Sequence, residues 1–319
     1  MGKFTELIDP DKLTVLHAPD FVFLCGAQLN DPEHSLRDLF FERKVKPDPK
    51  LLARVKLAED AERWYRSHEH FDDLLELEEY LAGLSACVLL FVESPGAIAE
   101  LGVFSQMPIL QDKLLVVLEQ SHSLGPSFIV DGPIKQMKRN NFGTVLSFPW
   151  LTNSEAMGRR PINTEIVGET LDAIAEELDK KLQGRPKTVK FRDPDHGHRM
   201  LLVADLVKLS GVCNRTELHE ILQELSLNYT GSELKRYLFL LDQLKIIATK
   251  PYGNVDYYFG NDEVPDHISY AAKVSKTPDA TKVPIDRLRL RELLRSDYGL
   301  SDAKRRALNA HNIDTKGAR

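Results

Sequence analysis

Apolar residues recur along the first half of the chain in two alternating rhythms. Short unbroken runs read as strands buried on both faces: Phe21-Val22-Phe23-Leu24-Cys25, Ala86 to Val92, Leu114 to Leu118, and Thr144 to Phe148. Between them the apolar positions fall at helical spacing. Lys50 to Arg66 aligns Leu51, Leu52, Val55, Ala58 and Ala61. Phe71 to Leu84 repeats the pattern through Leu74, Leu75, Leu77 and Leu81. Thr164 to Leu182 does so through Ile166, Val167, Leu171, Ile174 and Leu178, and closes at Gly184. Wholly apolar strands that alternate with helices predict a parallel sheet covered on both faces. The expectation is an α/β, flavodoxin-like, doubly wound domain over residues 1–184, with four strands and room for a fifth.

The rhythm changes further on. Residues 185–198 hold Pro186, Pro194 and Gly197 among many charges and read as a linker. Met200 to Leu209 is a short apolar helix. Asn214 caps a second, Arg215 to Leu225, with Glu217 as its capping-box partner. Thr230 or Ser232 opens a third, through Leu234, Tyr237, Leu238, Leu241 and Leu244. A hairpin follows, with Ile246 to Thr249 and Val255 to Phe259 joined by Pro251-Tyr252-Gly253-Asn254. Three short helices and a hairpin are the order of a winged helix-turn-helix, placed at residues 199–260. Residues 261–319 read as a polar, basic tail with one amphipathic stretch, Ile285 to Leu294, and the run Lys304-Arg305-Arg306.

Composition narrows the classes. No apolar run reaches the roughly 20 residues of a membrane span, and the N-terminal residues lack the core of a secretory signal, so a cytoplasmic protein is expected. Cys25, Cys87 and Cys213 are odd in number and far apart, which suits small buried residues in a reducing compartment. His68 with His70 and His196 with His198 lack companion ligands at set spacing, so no metal is expected. Charge is uneven. Residues 1–184 carry 19 Lys/Arg against 30 Asp/Glu, a net −11; residues 185–319 carry 23 against 18, a net +5. The mildly basic back half permits nucleic-acid contact, for which Lys235, Arg236 and Lys250 are the candidates, with phosphate contact or protein docking both open. The hairpin tyrosines could stack on single-stranded bases.

The chemistry concentrates after the second strong strand, in Val92-Glu93-Ser94-Pro95-Gly96-Ala97-Ile98-Ala99-Glu100-Leu101-Gly102. A strand that breaks at Pro-Gly and re-enters as a helix presents its first turn at the carboxyl edge of the sheet, where such sheets bind ligands. Glu100 sits about one turn past Gly96 on an otherwise uncharged stretch, placed to attack or stabilise a sugar carbon. A carboxylate near a helix start also has a plain electrostatic reason to be there. Gly96 and the small Ala97 leave room for a ligand, and Ser94 and Gly26 join them as candidate substrate contacts. Glu93 is the candidate second carboxylate, although a glutamate ending a strand can also face solvent. Trp64, Tyr65 and Trp150 could stack on a base or pack in the core.

Gly96, three residues, then Glu100-Leu101-Gly102 after a buried strand resembles the nucleophile segment of nucleoside 2-deoxyribosyltransferases and related N-glycosidases. Phe23-Leu24-Cys25-Gly26 resembles their first strand and glycine loop. The longer pattern Glu-Ser-Pro-Gly-x-x-Ala-Glu-Leu-Gly-x-Phe, joined to a C-terminal winged helix, is closer still to retron-associated effectors. The resemblance covers roughly residues 18–150 for the fold and 199–260 for the second domain. It implies a retaining mechanism, in which Glu100 attacks the anomeric carbon as the base departs. Where the transferases carry an aspartate and a hydroxyl residue, this chain has Ser94 and Ala97, which points away from deoxyribosyl transfer. The expected function is therefore an N-glycosidase effector of a retron anti-phage, toxin-antitoxin-like system. Its substrate is NAD or a related nucleotide, with no cofactor, and its expected controllers are a reverse transcriptase and multicopy single-stranded DNA. Self-association stays open. The alternative is a non-catalytic regulator that senses a nucleotide and binds DNA through the winged helix.

Overall fold

The computed structural model describes residues 2–16, 20–153, 159–273 and 285–317. The chain forms two compact units, residues 19–185 and residues 1–18 together with 186–319.

The first unit is a mixed α/β layer around five parallel strands. In chain order these are β1 (Val22–Cys25), β2 (Val55–Leu57), β3 (Cys87–Val92), β4 (Leu114–Glu119) and β5 (Thr144–Phe148). Their spatial order is β2-β1-β3-β4-β5, every neighbouring pair parallel. That is the order of a flavodoxin-like doubly wound sheet, whose strand order reverses between β1 and β3. All six residues of β3 and all six of β4 are buried, as strands covered on both faces must be. Val22, Leu24, Leu89, Phe91, Leu115 and Val117 join one core with Val167, Leu171, Ile174 and Leu178 of helix α6 (Val167–Gln183). The alternate residues Phe23, Val88, Leu90 and Val116 face the other way and are equally buried. Each such side chain contributes roughly 1.5–3 kcal/mol.

Further helices of this unit include α1 (Leu36–Phe40), α2 (Ala58–Ser67), α3 (Leu74–Leu84), α4 (Pro95–Phe104) and α5 (Lys135–Asn140). One expectation changes. Lys50 to Arg66 is not one helix: a short turn of helix, Pro49–Arg54, gives way to β2 before α2 begins. The fifth strand was hidden because three residues cannot break a helical periodicity that resumes at once on either side.

The second unit contains α7 (His196–Ser210), β6 (Val212–Asn214), α8 (Arg215–Glu224), α9 (Gly231–Gln243), β7 (Ile247–Tyr252) and β8 (Val255–Gly260). β6, β8 and β7 make an antiparallel sheet in that order. Asn214 and Thr230 close capping boxes with Glu217 and Glu233. The stretch read as a linker holds a strand, Val189–Lys190, and the start of α7. The stretch read as a tail holds Ile268–Ser269 and the helices α10 (Arg287–Tyr298) and α11 (Asp302–Gly317). Residues 1–18, read as part of the front domain, belong here instead. Thr14 and Val15 pair with Val189–Lys190 on one side and with Ile268–Ser269 on the other.

Candidate active site

Glu100 lies on α4, directly after β3, beside the point where the sheet's order reverses. Ser94 is the N-cap of that helix: its Oγ accepts from the Ala97 N–H at 3.1 Å. Pro95 takes the first helical position, where a missing N–H costs nothing. Ala97 is fully buried, whereas Gly96 is exposed and a Cβ there would meet only the Ser94 Oγ, at 3.9 Å. The helix therefore starts on open space. Glu100 is partly buried, and its Oε2 is shielded from solvent with no hydrogen-bond partner. Burial pushes its carboxyl up to about 7; Arg37 pulls the other way, and Glu59 and Glu62 add to the rise. Near neutral pH this group is divided between acid and anion, with a bare oxygen to offer.

Arg37 is the cation whose charge opposes that rise, and it is already committed. Its side chain is fully buried. Nη1 and Nη2 donate to the two Glu59 oxygens at 2.7 and 2.6 Å, Nη2 donates to the Leu24 carbonyl at 2.9 Å, and Nη1 donates to the Ala27 carbonyl. A forked guanidinium–carboxylate pair of this kind holds its geometry tightly. Although burial opposes it, the pairing holds the Glu59 carboxyl below its usual range. Gly26 makes this arrangement possible. Its φ is +147°, and a Cβ would stand 2.9 Å from both the Arg37 Cδ and the Phe91 carbonyl oxygen. Only glycine allows the end of β1, the Arg37 stem and β3 to pass so closely.

Glu93 has a different setting. Oε1 accepts from the Ser35 Oγ at 2.7 Å and from the Arg37 N–H at 3.2 Å, and Oε2 accepts from the Leu36 N–H at 2.8 Å. Both oxygens cap the start of α1. Burial raises its carboxyl above the usual range, against the pull of those hydrogen bonds. In this arrangement Glu93 fixes the backbone that carries Arg37.

Sequence reasoning passed over a further carboxyl. Glu78, on α3, is 6% exposed, and burial lifts it to about 8, with the Glu100 and Glu62 charges adding to the rise. The repulsion from Glu100 is expressed on Glu78 because Glu100 ionises first, while its neighbour is still neutral. The signal in the sequence was Glu78 within the apolar stripe Leu74-Leu77-Leu81. Of the three aromatic residues that could stack on a base or pack in the core, Trp150 is 1% exposed and belongs to the core. Among the described residues no group of three or more His, Cys, Asp or Glu is arranged to hold a metal ion, and no helix is long and apolar enough to cross a membrane.

A family model described as STM3845 retron effector protein matches residues 33–249, a span that includes Arg37, Glu59, Glu78, Glu93 and Glu100. The chain belongs to this retron effector family. It is also 28% identical over 292 residues to an Escherichia coli protein named "Retron Ec73 putative ribosyltransferase/DNA-binding protein", covering 85% of this chain and 89% of that one. A second Escherichia coli protein, named "Retron Ec86 putative ribosyltransferase/DNA-binding protein", is 38% identical over 125 residues, 39% of each chain.

In the second unit of this retron effector, Lys235 is exposed on α9, and Arg236 and Lys250 are partly exposed. Tyr257 and Tyr258 are 6% and 8% exposed, so they pack inward; Tyr252 alone of the hairpin tyrosines is exposed. Lys304 is not a surface charge either. It is buried, paired with the Glu217 Oε1 at 2.6 Å, and it donates to the Gly299 carbonyl at 3.2 Å. Arg305 and Arg306 stay exposed.

Proposed function

We propose that this chain is the N-glycosidase effector of a retron anti-phage system, hydrolysing the N-glycosidic bond of NAD or a related nucleotide. The observation that carries the reading is the unpaired, shielded Oε2 of Glu100 in the second turn of α4, the helix that follows β3 beside the reversal point of the sheet. The first unit then acts as a nucleoside deoxyribosyltransferase-like domain. The ionised Glu100 forms a bond to C1′ as the C1′–N bond breaks and its electron pair leaves with the base. Water then adds to C1′, loses its proton and releases the carboxylate. In NAD the departing nicotinamide leaves neutral and needs no proton. Glu78, still protonated when Glu100 has ionised, keeps a second negative charge away from the nucleophile. In this reading the exposed Gly96 and the partly buried Ser94 contact the substrate, while Gly26 and the fully buried Ala97 act through the close packing behind it.

The second unit supports control by nucleic acid. The order helix, strand, helix, helix, strand, strand, with β6, β8 and β7 paired in one sheet, suits a winged helix. In that reading Lys235, Arg236 and Lys250 meet the multicopy single-stranded DNA, and the reverse transcriptase completes the holding complex. Both Escherichia coli relatives carry retron, ribosyltransferase and DNA-binding in their names, which fits this division.

The deciding experiment incubates purified chain with NAD and measures free nicotinamide, with Glu100→Gln beside it. Release that disappears in Glu100→Gln supports the enzyme. No release from NAD or from a panel of nucleosides and nucleotides, with the chain tested alone and freed from partners, refutes it.

A further inference from the structure

The second unit contains a cavity of about 220 Å³ formed by the ends of α7 and β8 together with α10 and α11. Its floor depends on Gly260, where a Cβ would stand 2.6 Å from the Lys208 Cα, so the strand end and the helix touch backbone to backbone. Lys208, Arg291, Arg295 and His311 face it, against a single carboxylate, Asp262. Lys208 is partly satisfied by Asp266 at 3.0 Å. The two arginines are less so. No ion pair or side-chain hydrogen bond to either is found among the described residues, and the Arg291 Nε is buried without a partner, although the Arg291 charge acts on Asp266. They stand four residues apart on α10, so they share one face. Two like charges at that spacing destabilise a helix, and a buried guanidinium nitrogen without an acceptor costs more.

We propose that this cavity binds a phosphate group. Two guanidinium forks and an ammonium supply more donors than one carboxylate ligand can accept, whereas a phosphate's oxygens can take all three. The His311 ring, stacked on Phe259 with centroids 4.2 Å apart, closes one wall. The phosphate belongs either to a free nucleotide or to the backbone of a nucleic-acid strand. The lining residues all belong to the second unit, and the proposal does not depend on the N-glycosidase reading.

Isothermal titration calorimetry on the full chain tests this with three probes: inorganic pyrophosphate, ADP, and a short single-stranded oligodeoxynucleotide. At least one should bind, and Arg291→Ala/Arg295→Ala should weaken it tenfold or more. Arg295→Ala alone alters an exposed residue, spares the fold, and should still weaken binding several-fold. Binding of pyrophosphate or ADP that the double variant weakens identifies a free nucleotide. Binding of the oligodeoxynucleotide alone, weakened in the same way, identifies a strand backbone. The proposal is overturned if none of the probes binds, or if both arginine variants bind as tightly as the parent.

Discussion

Glu78→Gln is expected to flatten the pH dependence of stability. In the folded chain the Glu78 carboxyl is held up to about 8, against 4.5 when free, chiefly by burial and then by the Glu100 and Glu62 charges. The folded state therefore keeps a proton that the unfolded chain releases. Its contribution is fully present below the free value, declines as pH rises, and is lost once pH passes the folded value. Moving a pKa by one costs about 1.4 kcal/mol, so the whole rise gives ~5 kcal/mol as an upper bound. Water reaching the ionised group should relieve part of this, leaving ~2–3 kcal/mol between about pH 5 and about pH 9. Glutamine keeps the shape and has no proton to lose. Urea unfolding of both proteins at the two pH values measures the difference. The parent should lose ~2–3 kcal/mol more than Glu78→Gln on going to the higher pH. Equal losses in the two proteins would show that this carboxyl is ionised within the fold at neutral pH, and the reasoning about the acidic cluster would fail.

Other outcomes follow from the same site. Glu100→Gln should lower nicotinamide release by ~10³-fold or more, since it removes the attacking atom. In the parent, kcat/KM should fall about tenfold per pH unit below the Glu100 value of about 7, because only the anion attacks, and a profile flat through that region would exclude Glu100 as the nucleophile. Gly26→Ala should cost ~1–3 kcal/mol in a thermal melt, because its φ of +147° and the 2.9 Å approaches leave no room for a methyl group. Ser94→Ala removes the N-cap of α4 and should cost about 1 kcal/mol, with a loss of activity as the first turn frays.

Much of the first unit was legible because wholly apolar strands are distinctive. Cys87 to Val92 and Leu114 to Glu119 announced a sheet covered on both faces, and the Pro95-Gly96 break marked its carboxyl edge. β2 was not legible. Val55, Lys56 and Leu57 are placed by their pairing with β1, a partner distant in sequence, and not by any local preference. The candidate site was legible only at its centre. Glu100 stood out by its motif, but Arg37, Glu59 and Glu78 come from three helices that motif reading does not link. Their roles appear only when burial turns separated charges into one electrostatic group. Glu93 shows the reverse: adjacency to the motif drew attention to a carboxylate whose two oxygens are occupied by the start of α1. In the second unit Lys304 counted as a basic surface residue by composition, and only packing revealed the Glu217 partner.

Thr14 and Val15 pair with residues near 190 and 268, and this has a consequence for synthesis. As the chain leaves the ribosome, these two residues have no strand partner until Val189–Lys190 emerge, and their second partner, Ile268–Ser269, comes later still. The five-stranded layer lies wholly between them and can complete itself first. A newborn polypeptide would thus carry a finished parallel sheet before the second unit could complete its own strand pairs. Any nucleic-acid check seated in that later portion would arrive last.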